Sequence, residues 1–484
     1  MSNLQYTMRQ KLGFWIGLSV FALVFVVPVP AGLPASAWKT LAVACLVIIW
    51  WVTEPIALAI TSLLPMLLFP LLGVASLKQV AVPYASPTVY LFLGGFLLAL
   101  SMERWGLHKR LGLAIIYYIG TKPERIVLGF MIAAALLSMW VSNTATAIMM
   151  LPVGVSMIDL FGQNISSEKD VKHFTLALLL GIAYAANIGG MGTIIGTPPN
   201  VYMVSFFQAK GYDISFLQWM YFGVPLVLLA VPLAYLCLTK FIYPLRIQAM
   251  FGGREIVRQE VDILGKMQRA EVLITLVFTL TVALLLAREA LQSYIPFLQD
   301  AGIMLFAGVV LFVLPVDFSR GAFVLDWQVA SKVPWEILLL FGGGLSLAQS
   351  VQKTGLADWL GSYATALTSV SPVIVVFVVT LAVVFLTELT SNLATVAALL
   401  PVLESVATAA GWSPLLLAIP ATLAASCAFM MPIATPPNAV IYGSGKVSIS
   451  EMMRAGLWLN LLFLALITLW VFALVMPVFG ISWQ

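Results

Sequence analysis

Charged side chains are scarce in this chain. Asp, Glu, Lys and Arg make up 9% of its 484 residues and hydrophobic residues 62%, against about 25% and about 45–50% in soluble globular proteins. No soluble fold of this length could hide that much apolar surface. Cysteine is nearly absent too: Cys45, Cys237 and Cys427 lie in apolar stretches, without metal-ligand spacing or a disulfide framework. His108 and His173 are the two histidines, each beside other charges, so histidine-based metal or triad chemistry is poorly supplied. No G-x-x-x-x-G-K-[ST] loop is present to hold nucleotide phosphates, which argues against a primary pump. No nucleophile–base pair stands out at membrane depth, which argues against a membrane enzyme. The net charge of +4 is spread over loops and fits membrane orientation better than nucleic-acid binding.

What the chain does have is apolar length. Runs near the ~20 residues needed to cross a bilayer recur from end to end. They predict spans near 13–29, 36–51, 55–74, 88–119, 173–207 and 216–244, then a basic stretch from Arg246 to Arg269, then spans near 270–290, 301–316, 335–365, 414–444 and 453–478. The first run precedes further spans and lacks a small-residue cleavage site, so it reads as a retained helix rather than a signal peptide. Two more apolar segments, about 126–160 and 372–410, are interrupted halfway by polar residues. Broken backbone at membrane depth is tolerated where protein buries it or where it lines a cavity. These two are read as re-entrant hairpins, which leaves eleven transmembrane helices in an all-α polytopic fold. Lysine and arginine then orient the chain. With Arg9 and Lys11 inside, Arg104, Lys109, Arg110, Lys122, Arg125, Lys169, Lys172, Arg246, Arg254, Arg258, Lys266, Arg269, Lys446 and Arg454 also fall inside, and only Lys39, Lys78, Lys210, Arg288 and Lys353 outside. The N-terminus is thus expected in the cytoplasm and the tail ending at Gln484 outside.

The chain resembles itself. Shifted by 249 positions, Leu91-Phe92-Leu93-Gly94-Gly95 falls on Leu340-Phe341-Gly342-Gly343-Gly344, Gly106-Leu107 on Gly355-Leu356, Ser142-Asn143 on Ser391-Asn392 and Leu151-Pro152 on Leu400-Pro401. At a shift of 238, Thr197-Pro198-Pro199-Asn200 falls on Thr435-Pro436-Pro437-Asn438, the first half carrying an extra polar loop around Gln163 to Lys172. The first interrupted segment starts from the inside and the second from the outside, so the halves are inverted. Inverted repeats with broken helices are a hallmark of secondary transporters, with the site near the midplane where the interruptions meet.

One Ser-Asn pair at a helix start is ordinarily a cap. Two pairs at matched places in inverted halves point instead to facing hairpin tips that offer hydroxyl and amide oxygens. One Pro-Pro pair inside a span is ordinarily a kink. Two at matched places predict unwound helix whose freed carbonyls can coordinate a cation. Sodium is a hard cation that prefers oxygen, and these constellations supply little else. No lysine or arginine lies in either tip or either proline loop. An anion there must be balanced by bound cations and helix dipoles. Intramembrane acids are functional suspects. Glu54 reads as a cap or interface anchor, and Glu388, four residues before Asn392, as a group that orients the tip by hydrogen bonding or relays a proton, the first being favoured because Met139 holds the matching place in the first half.

The run Leu137-Ser138-Met139-Trp140-Val141-Ser142-Asn143-Thr144-Ala145-Thr146, with Leu340-Phe341-Gly342-Gly343-Gly344 and Ala434-Thr435-Pro436-Pro437-Asn438, resembles the divalent anion:sodium symporters, the INDY-type dicarboxylate transporters. The resemblance covers nearly the whole chain in order. It implies a homodimer in the cell inner (plasma) membrane, with a scaffold domain at the dimer contact and a transport domain that moves like an elevator. It implies sodium-coupled symport of C4-dicarboxylates of the succinate, malate or fumarate type, a sodium-independent dicarboxylate, citrate or tartrate exchanger of the same fold being the alternative. Carried over by position, one sodium site would use Ser138, Ser142, Asn143 and the Gly196 carbonyl, and the other Thr387, Thr390, Asn392 and the Ala434 carbonyl. Substrate carboxylates would meet Asn143, Thr144, Thr197, Pro198, Asn392, Thr435 and Pro436. Where bacterial dicarboxylate members often have threonine after the second Ser-Asn pair, this chain has Leu393, which removes a hydroxyl donor. The expected organisation is scaffold helices over 1–86, a first repeat over 87–244 with its hairpin near 126–160, a cytoplasmic linker over 245–269, scaffold helices over 270–334 and a second repeat over 335–484 with its hairpin near 372–410.

Overall fold

The computed structural model of the protein describes residues 6–119, 122–164, 167–245, 253–362 and 370–481. The described elements are helical apart from one antiparallel ribbon, Pro315–Asp317 against Ala322–Phe323. Among the described residues, nine helices are long and apolar enough to cross a bilayer, and shorter apolar helices lie at Leu58–Leu71, Asp300–Val313, Pro372–Leu386 and Leu415–Ala425. Two of the nine, Asn143–Gln163 and Asn392–Ala409, are arms of the interrupted segments.

Both interrupted segments are helix–turn–helix units. Hairpin 1 is Pro123–Ser138 followed by Asn143–Asn164, and hairpin 2 is Pro372–Leu386 followed by Asn392–Ala409. Two expected long spans are divided instead. Residues 88–119 form Pro87–Arg104 and Leu107–Ile119, and residues 335–365 form Trp335–Lys353 and Leu356–Ser362, with 363–365 outside the described residues. Gly106 (φ 71°) and Gly355 (φ 78°) sit at the two divisions. A left-handed glycine just past a helix ends it, because residues with a Cβ avoid that conformation. The sequence carries the signal, because Glu103, Arg104, His108, Lys109 and Arg110 surround Gly106, and Gln352, Lys353 and Asp358 surround Gly355. The basic linker also holds more structure than expected: Gly253–Leu264 is a helix. Lys109 and Arg110 reach it and its neighbour through Glu260 (3.1 Å) and Glu271 (2.7 Å). Arg246 and the side chain of Arg254 lie outside the described residues.

The two halves are interlaced. Helix Pro87–Arg104 of the first packs on Asp300–Val313 of the second, and Trp335–Lys353 of the second packs on Leu58–Thr61 and Leu64–Leu71 of the first. Matched glycines permit both contacts. A Cβ on Gly94 would lie 2.2 Å from the Met304 carbonyl oxygen, and one on Gly343 2.2 Å from that of Ser62. The last helix of each half repeats a further detail. Phe216–Leu236 runs on into a π turn, Cys237–Ile242, and Ile449–Trp470 into a π turn, Val471–Val475. Each π turn is followed two residues later by a proline, Pro244 or Pro477. Ser215 and Ser448 open these helices with capping boxes to Gln218 and Glu451. The start of the first is tied to the second half: Phe216 N–H donates to Asp300 (2.9 Å) and Ser215 to Glu289 (2.8 Å). At the centre lies Glu168–Gly190, buried on all sides from Phe174 onward.

Candidate cation and anion site

The polar machinery sits where the hairpin turns meet two broken helices. The first broken helix is Glu168–Gly190 then Pro198–Gln208, and the second Leu415–Ala425 then Pro436–Gly443. The unwinding expected at the prolines lies on their N-terminal side. They stand in the first turn of the second piece, where a missing N–H costs nothing. The unwound residues are upstream, 191–197 and 426–435. The residue before each proline, Thr197 (φ −147°, ψ 143°) and Thr435 (φ −140°, ψ 148°), is extended, as proline requires of its predecessor.

Each break is stapled by the asparagine that follows its prolines. Asn200 Nδ2 donates to the carbonyls of Gly190 and Thr193, both at 2.9 Å, and Asn438 Nδ2 to those of Ala428 (2.9 Å) and Met431 (3.1 Å). The spacing is identical, ten and seven residues back. Two carbonyl acceptors fix which way each amide faces. Both Oδ1 atoms are therefore turned elsewhere, and both are buried without a partner. Neither asparagine was among the expected site residues, although the duplicated motif already contained them.

The hairpin turns repeat a second device. Ser138 Oγ donates to Asn143 Oδ1 in hairpin 1, and Thr387 Oγ1 lies 2.7 Å from Asn392 Oδ1 in hairpin 2. Thr387 Oγ1 is also 2.9 Å from the Ala425 carbonyl. Three oxygens there share one hydroxyl proton, which leaves lone pairs facing one another, and a hard cation relieves such a surplus. Asn143 meets the first break at Gly190: a Cβ there would lie 3.1 Å from Asn143 Oδ1 and 3.2 Å from the Gly196 carbonyl oxygen. Ser138, Asn143 and Gly196 are thus gathered, as are Thr387 and Asn392. Ala434 is buried at the end of the second break, and its N–H donates to Met431 O (3.2 Å).

Other expected residues are engaged differently. Ser142 Oγ accepts from Ala145 N (3.1 Å), the capping role, and donates to Glu103 (3.3 Å). Thr390 turns to the Leu386 carbonyl (2.9 Å) and to Thr395 (2.5 Å) rather than to Asn392. Thr197 and Thr435 are buried, and Thr435 Oγ1 accepts from Asn187 Nδ2 at 3.1 Å, which links the second break to the central helix of the first half. Thr144 and Pro198 are half-buried and Pro436 is exposed, while Leu393 belongs to the apolar core. The halves cross here too. The second arm of hairpin 1 packs on Pro436–Gly443, and that of hairpin 2 on Pro198–Gln208.

Glu388, in the turn of hairpin 2, hydrogen-bonds to the second break and to Asn460. Its Oε1 accepts from the N–H groups of Phe429 (2.8 Å) and Met430 (2.9 Å) and from Asn460 Nδ2 (2.7 Å), and its Oε2 from Met431 N–H (3.0 Å). At the matching place in the first half the Met139 carbonyl accepts from Thr193 Oγ1 (2.5 Å).

The donor set is hydroxyl, amide and carbonyl oxygen. Among the described residues no group of three His, Cys, Asp or Glu could hold a metal. Neutral oxygens beside helix N-termini suit an alkali cation and an anion together. Such a site on an internally repeated, apolar helical frame defines a secondary transporter.

The chain belongs to the family described as the sodium:sulfate symporter transmembrane region, which it matches over residues 9–481. The sodium-dependent dicarboxylate transporter SdcS of Staphylococcus saprophyticus is 41% identical over 99% of this chain and 94% of its own length. SdcS of Staphylococcus aureus is 40% identical over 99% and 93%. Two solved structures share the fold at low identity. The YdaH transporter of Alcanivorax borkumensis has a TM-score of 0.57 at 14% identity, covering 98% of this chain and 99% of its own. MtrF of Neisseria gonorrhoeae has 0.57 at 13%, covering 98% and 97%.

Proposed function

We infer that the protein is a sodium-coupled symporter of dicarboxylates, with C4 acids of the succinate type as the substrate class. The observation that carries this reading is the duplicated half-site: a hydroxyl on an asparagine Oδ1 at each hairpin turn, against a break stapled by the next asparagine. The sodium ligands we assign are Ser138, Ser142, Asn143 and the Gly196 carbonyl in one half, and Thr387, Thr390, Asn392 and the Ala434 carbonyl in the other. The substrate contacts are Asn143, Thr144, Thr197, Pro198, Asn392, Thr435 and Pro436. That the SdcS relatives are sodium-dependent dicarboxylate transporters supports both the ion and the substrate class.

The chemistry follows from charge. With cation-free walls, a dianion is held by the bound sodium ions and by the helix N-termini at Asn143, Asn392, Pro198 and Pro436. When the sodium ions leave, the same walls hold it poorly, so the two move together. Eleven spans with a cytoplasmic N-terminus, a homodimeric scaffold and an elevator-like transport domain complete the reading, supported by the basic-residue asymmetry and the interlaced repeat. Uptake of labelled succinate into proteoliposomes tests it. An inward sodium gradient should drive accumulation, and replacing sodium with choline should stop it. Undiminished uptake in choline would establish exchange without sodium instead.

A further inference from the structure

The far end of the first broken helix is held by charges that belong to the other half. Arg288, 6% exposed, is the one buried arginine or lysine among the described residues. Its Nη1 donates to Asp300 Oδ2 (3.3 Å) and its Nη2 to Asp213 Oδ2 (3.0 Å). Arg288 and Asp300 stand on the proposed scaffold helices Arg269–Leu291 and Asp300–Val313. Asp213 stands in the loop that follows Pro198–Gln208. The end of that loop adds the Phe216 N–H bond to Asp300 and the Ser215 bond to Glu289. Beside it, Thr88 of helix Pro87–Arg104 donates to Gln208 Oε1 (3.0 Å). The matching loop of the second half is held otherwise. Lys446 pairs with Asp159 (3.1 Å) and Glu451 with Lys172 (3.0 Å), on hairpin 1 and the central helix.

The first loop is also loosely seated. A cavity of about 410 Å³ lies at this contact, with Ser86, Arg288 and Asp300 on one side and Ser205 and Asp213 on the other. Ser86 Oγ, Ser205 Oγ, Arg288 Nε and Asp300 Oδ1 are buried there without a partner, which a permanent, close-packed contact rarely leaves.

We propose that Arg288 is a positioning residue of the transport cycle. With Asp213 it forms a clasp that holds the outer loop of the transport domain on the scaffold, shuts the outer face, and parts to admit substrate from outside. This deepens the proposed transport reading and rests on its domains and orientation. When the loop leaves, Arg288 keeps Asp300 on its own side, so no buried charge is left unpaired. What is lost is two hydrogen bonds and a pair whose acid side chain is 72% exposed, and such exposed pairs are weak. The loop of the second half has no such contact to break, because Asp159 and Lys172 lie on elements that carry the site.

The test is a bridge across the contact in proteoliposomes, with Cys45, Cys237 and Cys427 replaced by serine. Mercuric ion should link Thr88→Cys to Gln208→Cys and stop sodium-driven succinate uptake, excess thiol should restore it, and either single variant should keep it. A bridged protein that transports at full rate overturns the proposal. Should the pair not bridge, Asp213→Asn decides. It should lower the succinate KM about threefold at the outer face and change it by under about 1.5-fold at the inner face, since a looser clasp enlarges the small outward-open fraction. Asp213→Glu should restore the wild-type values. A merely structural contact would shift both faces alike, and equal or absent shifts overturn the proposal. Undiminished uptake in choline overturns the sodium-coupled reading, and Tyr212→Cys labelling from the cytoplasm overturns the orientation; both outcomes are distinct from those of the bridge.

Discussion

The first and second breaks solve one problem with different means. Both must hold unwound backbone inside an apolar frame, where every unpaired peptide group costs free energy. In the first, Met191 and Gly192 N–H groups still find the carbonyls of Ile188 and Gly189, so a tight turn satisfies itself and Thr193 pins it to hairpin 1. In the second, residues 429–431 have left that pattern and a side-chain carboxylate accepts all three N–H groups. What both keep is the asparagine staple and the hydroxyl–asparagine pair. Duplicated features therefore mark what either half needs for its site, and unmatched features mark what one half does alone.

The comparison can be broken most decisively at the asparagines of the turns. Asn143→Ala and Asn392→Ala should each lower sodium-driven succinate uptake at least about a hundredfold, because each would lose the proposed contacts to a cation and to a carboxylate, worth about 1.5–3 kcal/mol apiece. Near-normal uptake by either variant would show that one half-site is dispensable. Next is handedness in the membrane. In a cysteine-free background, Tyr212→Cys should label only from outside and Ser450→Cys only from the cytoplasm, since these loops end the matched breaks in inverted halves. Labelling from the same face would end the inverted reading. The staples sharpen the comparison further. Asn200→Ala and Asn438→Ala should each cost about 1–3 kcal/mol, read as similar losses of thermal stability. A much larger loss at one position would show that the repeats share geometry but not load. The smallest effect is expected at Leu393. It is buried at 6% exposure, so Leu393→Thr should change succinate affinity by under about threefold, measured by competition at saturating sodium. A tenfold tightening would place this side chain against the substrate.

Much of this was legible in the sequence because the repeat printed it twice. The matched Ser-Asn and Pro-Pro-Asn motifs located both turns and both breaks to within a few residues. Glu388, matched by Met139, already stood out as the asymmetric group. The divisions at Gly106 and Gly355 were marked by the charged residues around them, but the two long spans expected there run through those residues. What stayed hidden was governed by single residues or by partners distant in sequence. The prolines signalled a break on their N-terminal side but not its length. Asn200 looked like part of a motif, yet its function lies in carbonyls seven and ten residues upstream, which only a fold brings to its amide. Thr390 shares its residue type with Thr387, and only the turn geometry sends one hydroxyl to Asn392 and the other to Thr395.

The paired π turns carry a different kind of information. A π turn accommodates one inserted residue in a helix, and here the insertion stands at the same place in both halves, the same two residues before Pro244 and Pro477. Two independent insertions at one register are less economical than one inherited insertion. The extra residue then predates the duplication, in an ancestor half as long. On the proposed inverted topology, that ancestor would have entered the membrane in either orientation and paired with its own upside-down copy. A half-length relative that retains this turn, and whose ends label from both faces, would be its surviving form.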